Sequence, residues 1–149
     1  MQRGFGDVTV LDVSGASLAA SRQRLGAAAA RVHWLEADIT AWRPQRRYAV
    51  WHDRAVFHFM TTPAQQAAYL AALEAGTSAG ALVIVATFAL DGPETCSGLP
   101  VQRYSAETLA ARLGRDFSLV DHAYETHTTP RQAVQRFCFG LFRRASGPT

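Results

Sequence analysis

The amino-acid sequence predicts an α/β protein, a three-layer sandwich built on a mostly parallel sheet that ends in a C-terminal antiparallel hairpin. Three observations predict this fold class. Apolar, β-favouring runs alternate with alanine-rich helical segments over the first two thirds of the chain. Several runs end on an acidic residue, as strands do where a ligand binds beyond their carboxyl ends. The last two β-type segments are joined by a link too short for a crossover helix, so they must run antiparallel.

The composition is that of one soluble domain, and we treat residues 1–149 as a single unit. The chain is 48% hydrophobic and 18% charged. Its net charge is +3, but every basic residue is Arg and the arginines are scattered, which argues against a nucleic-acid partner. The longest apolar run is too short to cross a bilayer, so no membrane role is expected.

The cysteines and histidines predict neither a disulfide nor a metal site. Cys96 and Cys138 lie far apart in a chain without a secretory signal, which favours free thiols and a cytoplasmic location. Four histidines fall on different segments without paired spacing: His33, His58, His122 and His127. We therefore expect no bound metal.

The first part of the chain predicts a strand, a helix and a second strand. Val8 to Leu11 are β-favouring and lead to Asp12, and Ser14-Gly15 separates this run from a helix over 16–25 that Gly26 ends. The second run, over 31–39, also ends on an acid, Asp38, which Ile39 follows. Both acids are therefore expected at the carboxyl ends of strands.

The middle of the chain predicts a strand, a helix and a further strand. The apolar run over 48–60 is interrupted by His52, Asp53 and Arg54, which marks the place where a strand ends at a site. A helix is predicted over 63–76, with Pro63 in its first turn. The continuous run ALVIVATFA, over 81–89, is typical of a parallel strand covered on both faces.

The last third predicts a long loop, a short helix and the hairpin. Residues 90–104 are rich in Gly and Pro and too many for a simple connection, so we expect a flexible lid or a substrate loop. Ser105 is the expected N-cap of a helix that ends at Gly114. The hairpin strands are predicted over 117–127 and 133–142.

The strand-end residues are the candidates for a binding site. A carboxylate accepts two hydrogen bonds at once, which suits the adjacent hydroxyls of a ribose. Each candidate also has a structural alternative. Asp12 and Asp38 could cap the helix or turn that follows them, and Asp53 with Arg54 could form a buried ion pair.

These strand-end acids and the terminal hairpin resemble the class I methyltransferases that use S-adenosylmethionine, which have a Rossmann-like fold. In that family the acid ending the second strand holds the ribose, and an Asp with the next apolar residue after the third strand contacts the adenine. The resemblance implies the first role for Asp12, with Val13 beside it, and the second for Asp38 with Ile39. It also implies S-adenosylmethionine as cofactor and a small molecule as methyl acceptor.

The segment WHDRAVFHFMTTPAQQAAYLAAL is most similar to the thiopurine S-methyltransferase branch, in which an Asp-Arg pair ends the fourth strand. The resemblance implies substrate contacts at Asp53, Arg54 and Phe57, and places His52 beside the methionine part of the cofactor. No catalytic residue is predicted, because in-line methyl transfer depends on proximity and alignment rather than on covalent chemistry.

The chain departs from the family's pattern in three places. Ala49 stands where the family often has an acid, and Ser78-Ala79-Gly80 where it has Pro-Gly-Gly. The family's Gly-rich loop, with its first strand and helix, would lie ahead of Met1. We therefore expect a domain that lacks those elements and exposes two unpaired sheet edges. Such a domain should either fold poorly or bind the cofactor weakly.

Two other functions are compatible with the sequence. One is a catalytically inactive remnant that binds a partner. The other is a nicotinamide-dependent oxidoreductase, which also has an acid after its second strand but does not normally end in an antiparallel hairpin. The methyl acceptor is left open among a small thiol, a metalloid oxyanion, a carboxylate and a protein side chain.

Overall fold

The computed structural model describes residues 4–130 and 132–146. Arg131, in the link between the last two strands, lies outside the described residues. The chain divides into two compact units, Met1–Trp42 and Arg43–Thr149, which we call the N-terminal unit and the C-terminal unit. That the whole chain is one domain stays a prediction.

The N-terminal unit contains a two-stranded parallel sheet and the helical segment that connects its strands. β1 (Val8–Asp12) pairs with β2 (Val32–Glu36), and α1 (Gly15–Leu25) continues into a 3₁₀ helix (Gly26–Arg31) between them. The Ser14 hydroxyl accepts a hydrogen bond from the backbone of the first turn and caps α1. The predicted order of strand, helix and strand is confirmed.

The C-terminal unit is built on a four-stranded sheet. Its strands, in chain order, are β3 (Tyr48–Arg54), β4 (Thr77–Phe88), β7 (Phe117–Thr128) and β8 (Val134–Arg144). Between β4 and β7 the chain forms a separate two-stranded ribbon of β5 (Thr95–Cys96) and β6 (Leu99–Pro100). The sheet order is β3-β4-β8-β7, with β3 at one edge. β3 and β4 are parallel, and β8 is antiparallel to both of its neighbours. One reversed strand next to an edge is what the sequence predicted.

Two helices of the C-terminal unit start where the sequence predicted. α2 (Pro63–Gly76) and α3 (Ala106–Leu113) each begin with a reciprocal capping box. Thr62 and Gln65 form the first box, and Ser105 and Thr108 form the second. In the described residues, no helix is both long enough and apolar enough to cross a membrane.

Both helices pack on the same face of this sheet, which we call the helix face. The Tyr69 hydroxyl of α2 donates to Asp53 of β3. A Cβ built on Gly140 of β8 would lie 3.3 Å from a methyl carbon of Leu109 of α3, so the glycine allows close packing there. The opposite face, which we call the far face, carries His52, Arg54 and the cross-strand neighbours of these residues.

The segment over 90–104 is folded against the sheet rather than extended as a free loop. Ser97 and Gly98 both have positive φ, 51° and 78°, as a two-residue hairpin turn between β5 and β6 requires. Cys96 and Val101 pack against a buried cluster formed by Ala86, Phe88 and Phe137. The hairpin therefore covers part of the far face beside the carboxyl end of β4.

Candidate functional site

Asp12 ends β1 and shapes the start of α1. Its Oδ1 accepts a hydrogen bond of 2.8 Å from the backbone N–H of Ser14, an Asx turn that fixes the carboxylate. Its second oxygen has no hydrogen-bond partner among the described residues. The capping role and an available acceptor atom are therefore both present in the same side chain.

Asp38, just beyond β2, repeats this arrangement. Its Oδ1 accepts from the backbone N–H of Thr40 at 2.8 Å and from the Thr40 hydroxyl at 2.7 Å. These bonds favour the charged form and lower the pKa of the carboxyl. Ile39 is buried at 7% exposure and anchors the turn, whereas the side chain of Val13 after β1 is exposed.

A third carboxylate, Glu36, lies beside Asp12. The two residues are register partners at the ends of β1 and β2. A Cβ built on Gly15 would lie 2.6 Å from the Glu36 Oε2, so the absence of a side chain at Gly15 makes room for this carboxylate at the start of α1. A negative group at a helix N-terminus is electrostatically favourable. No pattern in the sequence indicates this contact, because it depends on the register of the two strands.

The Asp53 side chain lies on the helix face of the sheet in the C-terminal unit and is 5% exposed. Its carboxylate accepts 2.9 Å hydrogen bonds from the backbone N–H groups of Val56 and Phe57 and a 2.6 Å bond from the Tyr69 hydroxyl. Burial raises the pKa of Asp53, while the three hydrogen bonds act to lower it. Burial, together with the same carboxylate, holds the pKa of Tyr69 well above its usual value. This network fixes the turn that follows β3.

Asp53 and Arg54 do not form the ion pair that the sequence left open. Adjacent residues of a strand point to opposite faces, so Asp53 lies under α2 while Arg54 is exposed on the far face. The guanidinium of Arg54 lies 5.0 Å from the ring centroid of Phe137. His52, two residues earlier, is exposed on the same face as Arg54.

Phe57 occupies a core position. It belongs to a 3₁₀ turn over Phe57–Phe59 and has 0% exposure. Its ring centroid lies 4.7 Å from that of Tyr69 and 5.6 Å from that of Tyr104. No part of the side chain reaches the surface, so this structure gives no support to the substrate contact predicted for Phe57. Asp53 is also buried, and its described hydrogen bonds hold the turn after β3.

Ala55 follows directly after β3 and has a backbone conformation that is costly for alanine. Its φ is +66°, and its N–H donates to the carbonyl of Ala86. We expect Ala55→Gly to raise the free energy of unfolding by about 0.5–1 kcal/mol, since glycine adopts positive φ without the Cβ penalty. Chemical denaturation measures the change. Ala71→Gly, in the exposed interior of α2, is the control and should lower it by about 1 kcal/mol; destabilisation by both would contradict the strain at Ala55.

Comparison with known proteins gives structural matches only. No protein-family model matches the chain, and no curated protein matches it. Among solved structures, the chain is similar to the N-methyltransferase NodS from Bradyrhizobium japonicum in complex with S-adenosyl-L-homocysteine, with 15% identity, a TM-score of 0.68 and coverage of 91% of this chain and 65% of that one.

Two further structures have the same fold. The 1,6-didemethyltoxoflavin-N1-methyltransferase from Burkholderia thailandensis is 20% identical with a TM-score of 0.71, and the match covers 97% of this chain and 64% of that one. TehB from Haemophilus influenzae is 19% identical with a TM-score of 0.66, and the match covers 95% and 50%. The chain thus spans between half and two thirds of the length of these three proteins. It has the fold of the class I S-adenosylmethionine-dependent methyltransferases.

Proposed function

We propose that this chain is the S-adenosylmethionine-binding part of a cytoplasmic enzyme that methylates a small-molecule acceptor. The observation that carries the proposal is the pair of Asx turns in the N-terminal unit. Asp12 and Asp38 each use one carboxylate oxygen to fix their own loop and keep the other available. Two oriented acceptors beyond the carboxyl ends of parallel strands suit a nucleoside.

The residues present fit the nucleoside part of that cofactor. The available oxygen of Asp12 would accept hydrogen bonds from the ribose hydroxyls, with the Val13 side chain exposed next to it. Asp38 would accept from the adenine amino group, and its lowered pKa keeps it charged and able to accept. When bound, the cofactor supplies an electrophilic methyl group. The resemblance to the thiopurine S-methyltransferase branch also implies that His52 lies beside the methionine part of the cofactor. This role of His52 stays a prediction.

A calorimetric titration of S-adenosylhomocysteine into the chain, with NAD as the comparison ligand, tests this proposal. We expect binding of the first and not of the second. Binding of NAD alone would support the nicotinamide-dependent alternative. Binding of neither, by a sample that melts cooperatively, would overturn the enzyme proposal and leave a non-catalytic binding module.

Asp12→Asn separates the two roles of Asp12. The amide oxygen of Asn can still accept from the Ser14 N–H, so the turn and the melting temperature should be preserved. Its NH₂ group cannot accept from a ribose hydroxyl, so we expect the affinity for S-adenosylhomocysteine to fall about 10- to 100-fold. Asp7→Asn, at an exposed acid of the same unit, is the control and should bind as the parent does. Equal affinities of both variants would contradict the role of Asp12.

A further inference from the structure

His58 is a fully buried titratable side chain that the proposed function does not use. It is the middle residue of the 3₁₀ turn Phe57–Phe59 and has 0% exposure. Its ring centroid lies 4.6 Å from that of Phe59 and 4.7 Å from that of Phe88, at the end of β4. The imidazole is therefore packed against two aromatic rings.

The hydrogen bonding of this imidazole is that of its neutral form. Nδ1 accepts a 3.4 Å hydrogen bond from the backbone N–H of Phe88, so the neutral ring carries its proton on Nε2. Nε2 is buried and has no hydrogen-bond partner among the described residues. A second proton would have to bind at Nδ1, where it would face the Phe88 N–H. Protonation of His58 is therefore strongly disfavoured in this packing.

The segment that follows β6 covers this part of the sheet. The Gln102 N–H donates to the His58 carbonyl at 2.8 Å, and the Tyr104 N–H donates to the Phe88 carbonyl at 3.0 Å. The Phe88 side chain belongs to the buried cluster on which Cys96 of β5 packs. The β5–β6 hairpin and the segment after it thus cover the ring against which His58 packs.

The hairpin has few contacts that resist opening. β5 and β6 contain two residues each, and Leu99 at the start of β6 is 57% exposed. The ion pair between Arg103 and Glu94 involves an acid whose side chain is 79% exposed, and such pairs contribute little to stability. Short segments with exposed side chains open locally while the rest of a domain stays folded.

We propose that His58 makes closure of the β5–β6 hairpin dependent on pH: the neutral imidazole keeps the hairpin closed over the end of β4, and binding of one proton at Nδ1 opens it. Ligands of parallel sheets bind beyond the carboxyl ends of the strands. Proton uptake therefore controls access to this end of the sheet. This control goes beyond the proposed function and does not depend on which cofactor or acceptor binds.

The direction of the effect follows from the burial of His58. Burial lowers the pKa of His58 from 6.5 to about 4 and is the only cause that shifts it. In the open hairpin the imidazole is in water and has its ordinary pKa. The closed form is therefore fully stabilised above pH 6.5 and loses that stability as the pH falls towards 4.

No charged neighbour accounts for this shift. The titratable groups of the surrounding elements are Asp53 and Arg54 of β3, Glu94 and Cys96 of the hairpin, and Arg103 and Tyr104 after it. None of them is a cause of the shift in the pKa of His58. The pH dependence of closure is therefore assigned to His58 itself.

Labelling of the Cys96 thiol with dithiodipyridine, which reacts in mild acid, measures opening of the hairpin. Dividing its rate in a free peptide of residues 92–100 by its rate in the intact chain gives a protection factor that excludes the pH dependence of the thiol chemistry. We expect the protection of Cys96 to fall about 10- to 20-fold from about pH 7 to about pH 5. Cys138, which is 0% exposed in β8, should keep its protection. An equal loss at both cysteines would indicate unfolding of the whole sheet and overturn local opening.

His58→Gln separates the imidazole from the rest of the site. The amide oxygen of Gln can still accept from the Phe88 N–H, but the side chain does not titrate. The protection of Cys96 in this variant should be the same at both pH values. His122→Gln, at an exposed histidine of β7, is the control and should retain the parent's pH dependence. A pH dependence that persists in His58→Gln would overturn the proposal.

Amide exchange of the parent chain gives a second test that needs no substitution. After correction for intrinsic exchange, the protection of the Gln102 N–H should fall by the same factor of about 10 to 20, because this N–H donates to the His58 carbonyl. The Ala89 N–H, which donates to the Arg136 carbonyl of β8, should keep its protection. Protection of Gln102 that does not change with pH would overturn the proposal, whether or not the chain binds S-adenosylhomocysteine.

Discussion

Replacing Phe57 with alanine should lower the free energy of unfolding of the C-terminal unit by about 3–5 kcal/mol. The ring has 0% exposure and lies between the rings of Tyr69 and Tyr104, which come from α2 and from the segment before α3. Truncation removes its apolar burial and leaves a cavity that these two large, hydrogen-bonded side chains are poorly placed to fill. Chemical denaturation followed by circular dichroism measures the change.

Val56→Ala is the control for this prediction. Val56 precedes Phe57 in the chain and is 38% exposed, so its truncation should cost less than about 1 kcal/mol. A Phe57→Ala protein as stable as the Val56→Ala protein would contradict the core position of Phe57. It would also restore Phe57 as a candidate substrate contact.

The second large effect is expected for Asp53→Ala, which should lower the free energy of unfolding by about 3–4 kcal/mol. The substitution removes the acceptor of two backbone N–H groups, those of Val56 and Phe57, and of the Tyr69 hydroxyl. The bond from the Phe57 N–H to Asp53 is buried, so loss of the carboxylate leaves this donor unpaired in a desolvated site. The turn that carries Ala55 and positions Arg54 should lose its order as well.

A double-mutant cycle with Tyr69→Phe tests this network. Tyr69→Phe alone keeps the ring in the core and leaves the two backbone donors satisfied, so it should cost about 1–2 kcal/mol. The hydroxyl has no carboxylate to donate to once Asp53 is replaced, so the two losses should be less than additive. Additive losses would show that the 2.6 Å contact contributes nothing to stability.

The sequence predicted the elements that local rules determine. Ser105 was the predicted N-cap of α3, and α1 and α2 begin within a residue or two of the starts that Ser14-Gly15 and Pro63 indicated. These signals work because a cap is a contact between neighbours in the chain. The reversed strand β8 followed from the short link before it. The acids Asp12 and Asp38 were found by their position at strand ends.

Local sequence patterns could not identify the residues that surround Asp53 and Arg54. The alternation of side chains along a strand separates these two residues onto opposite faces, but which face is buried depends on where α2 and α3 pack. Tyr69 and Tyr104, which enclose Phe57, come from distant segments. Phe137 meets Arg54 only because the register between β4 and β8 sets it next to Phe88.

The segment over 90–104, predicted as a flexible lid or a substrate loop, shows the same limit. Its Gly and Pro content indicated a loop, whereas the Ser97-Gly98 turn and the packing of Cys96 and Val101 make it a hairpin on the sheet. The Ser-Gly pair itself is a recognisable sequence signal for a turn. The partners of Cys96 and Val101 belong to β4 and β8, and no pattern within the loop identifies them.

Hydrogen–deuterium exchange of the chain with and without S-adenosylhomocysteine locates the nucleoside on the chain, and so tests the binding role proposed for Asp12 and Asp38. We expect slower amide exchange confined, within the N-terminal unit, to the Asx turns over residues 12–15 and 38–42. Unchanged exchange in both turns, at ligand concentrations that saturate the protein by calorimetry, would contradict that role.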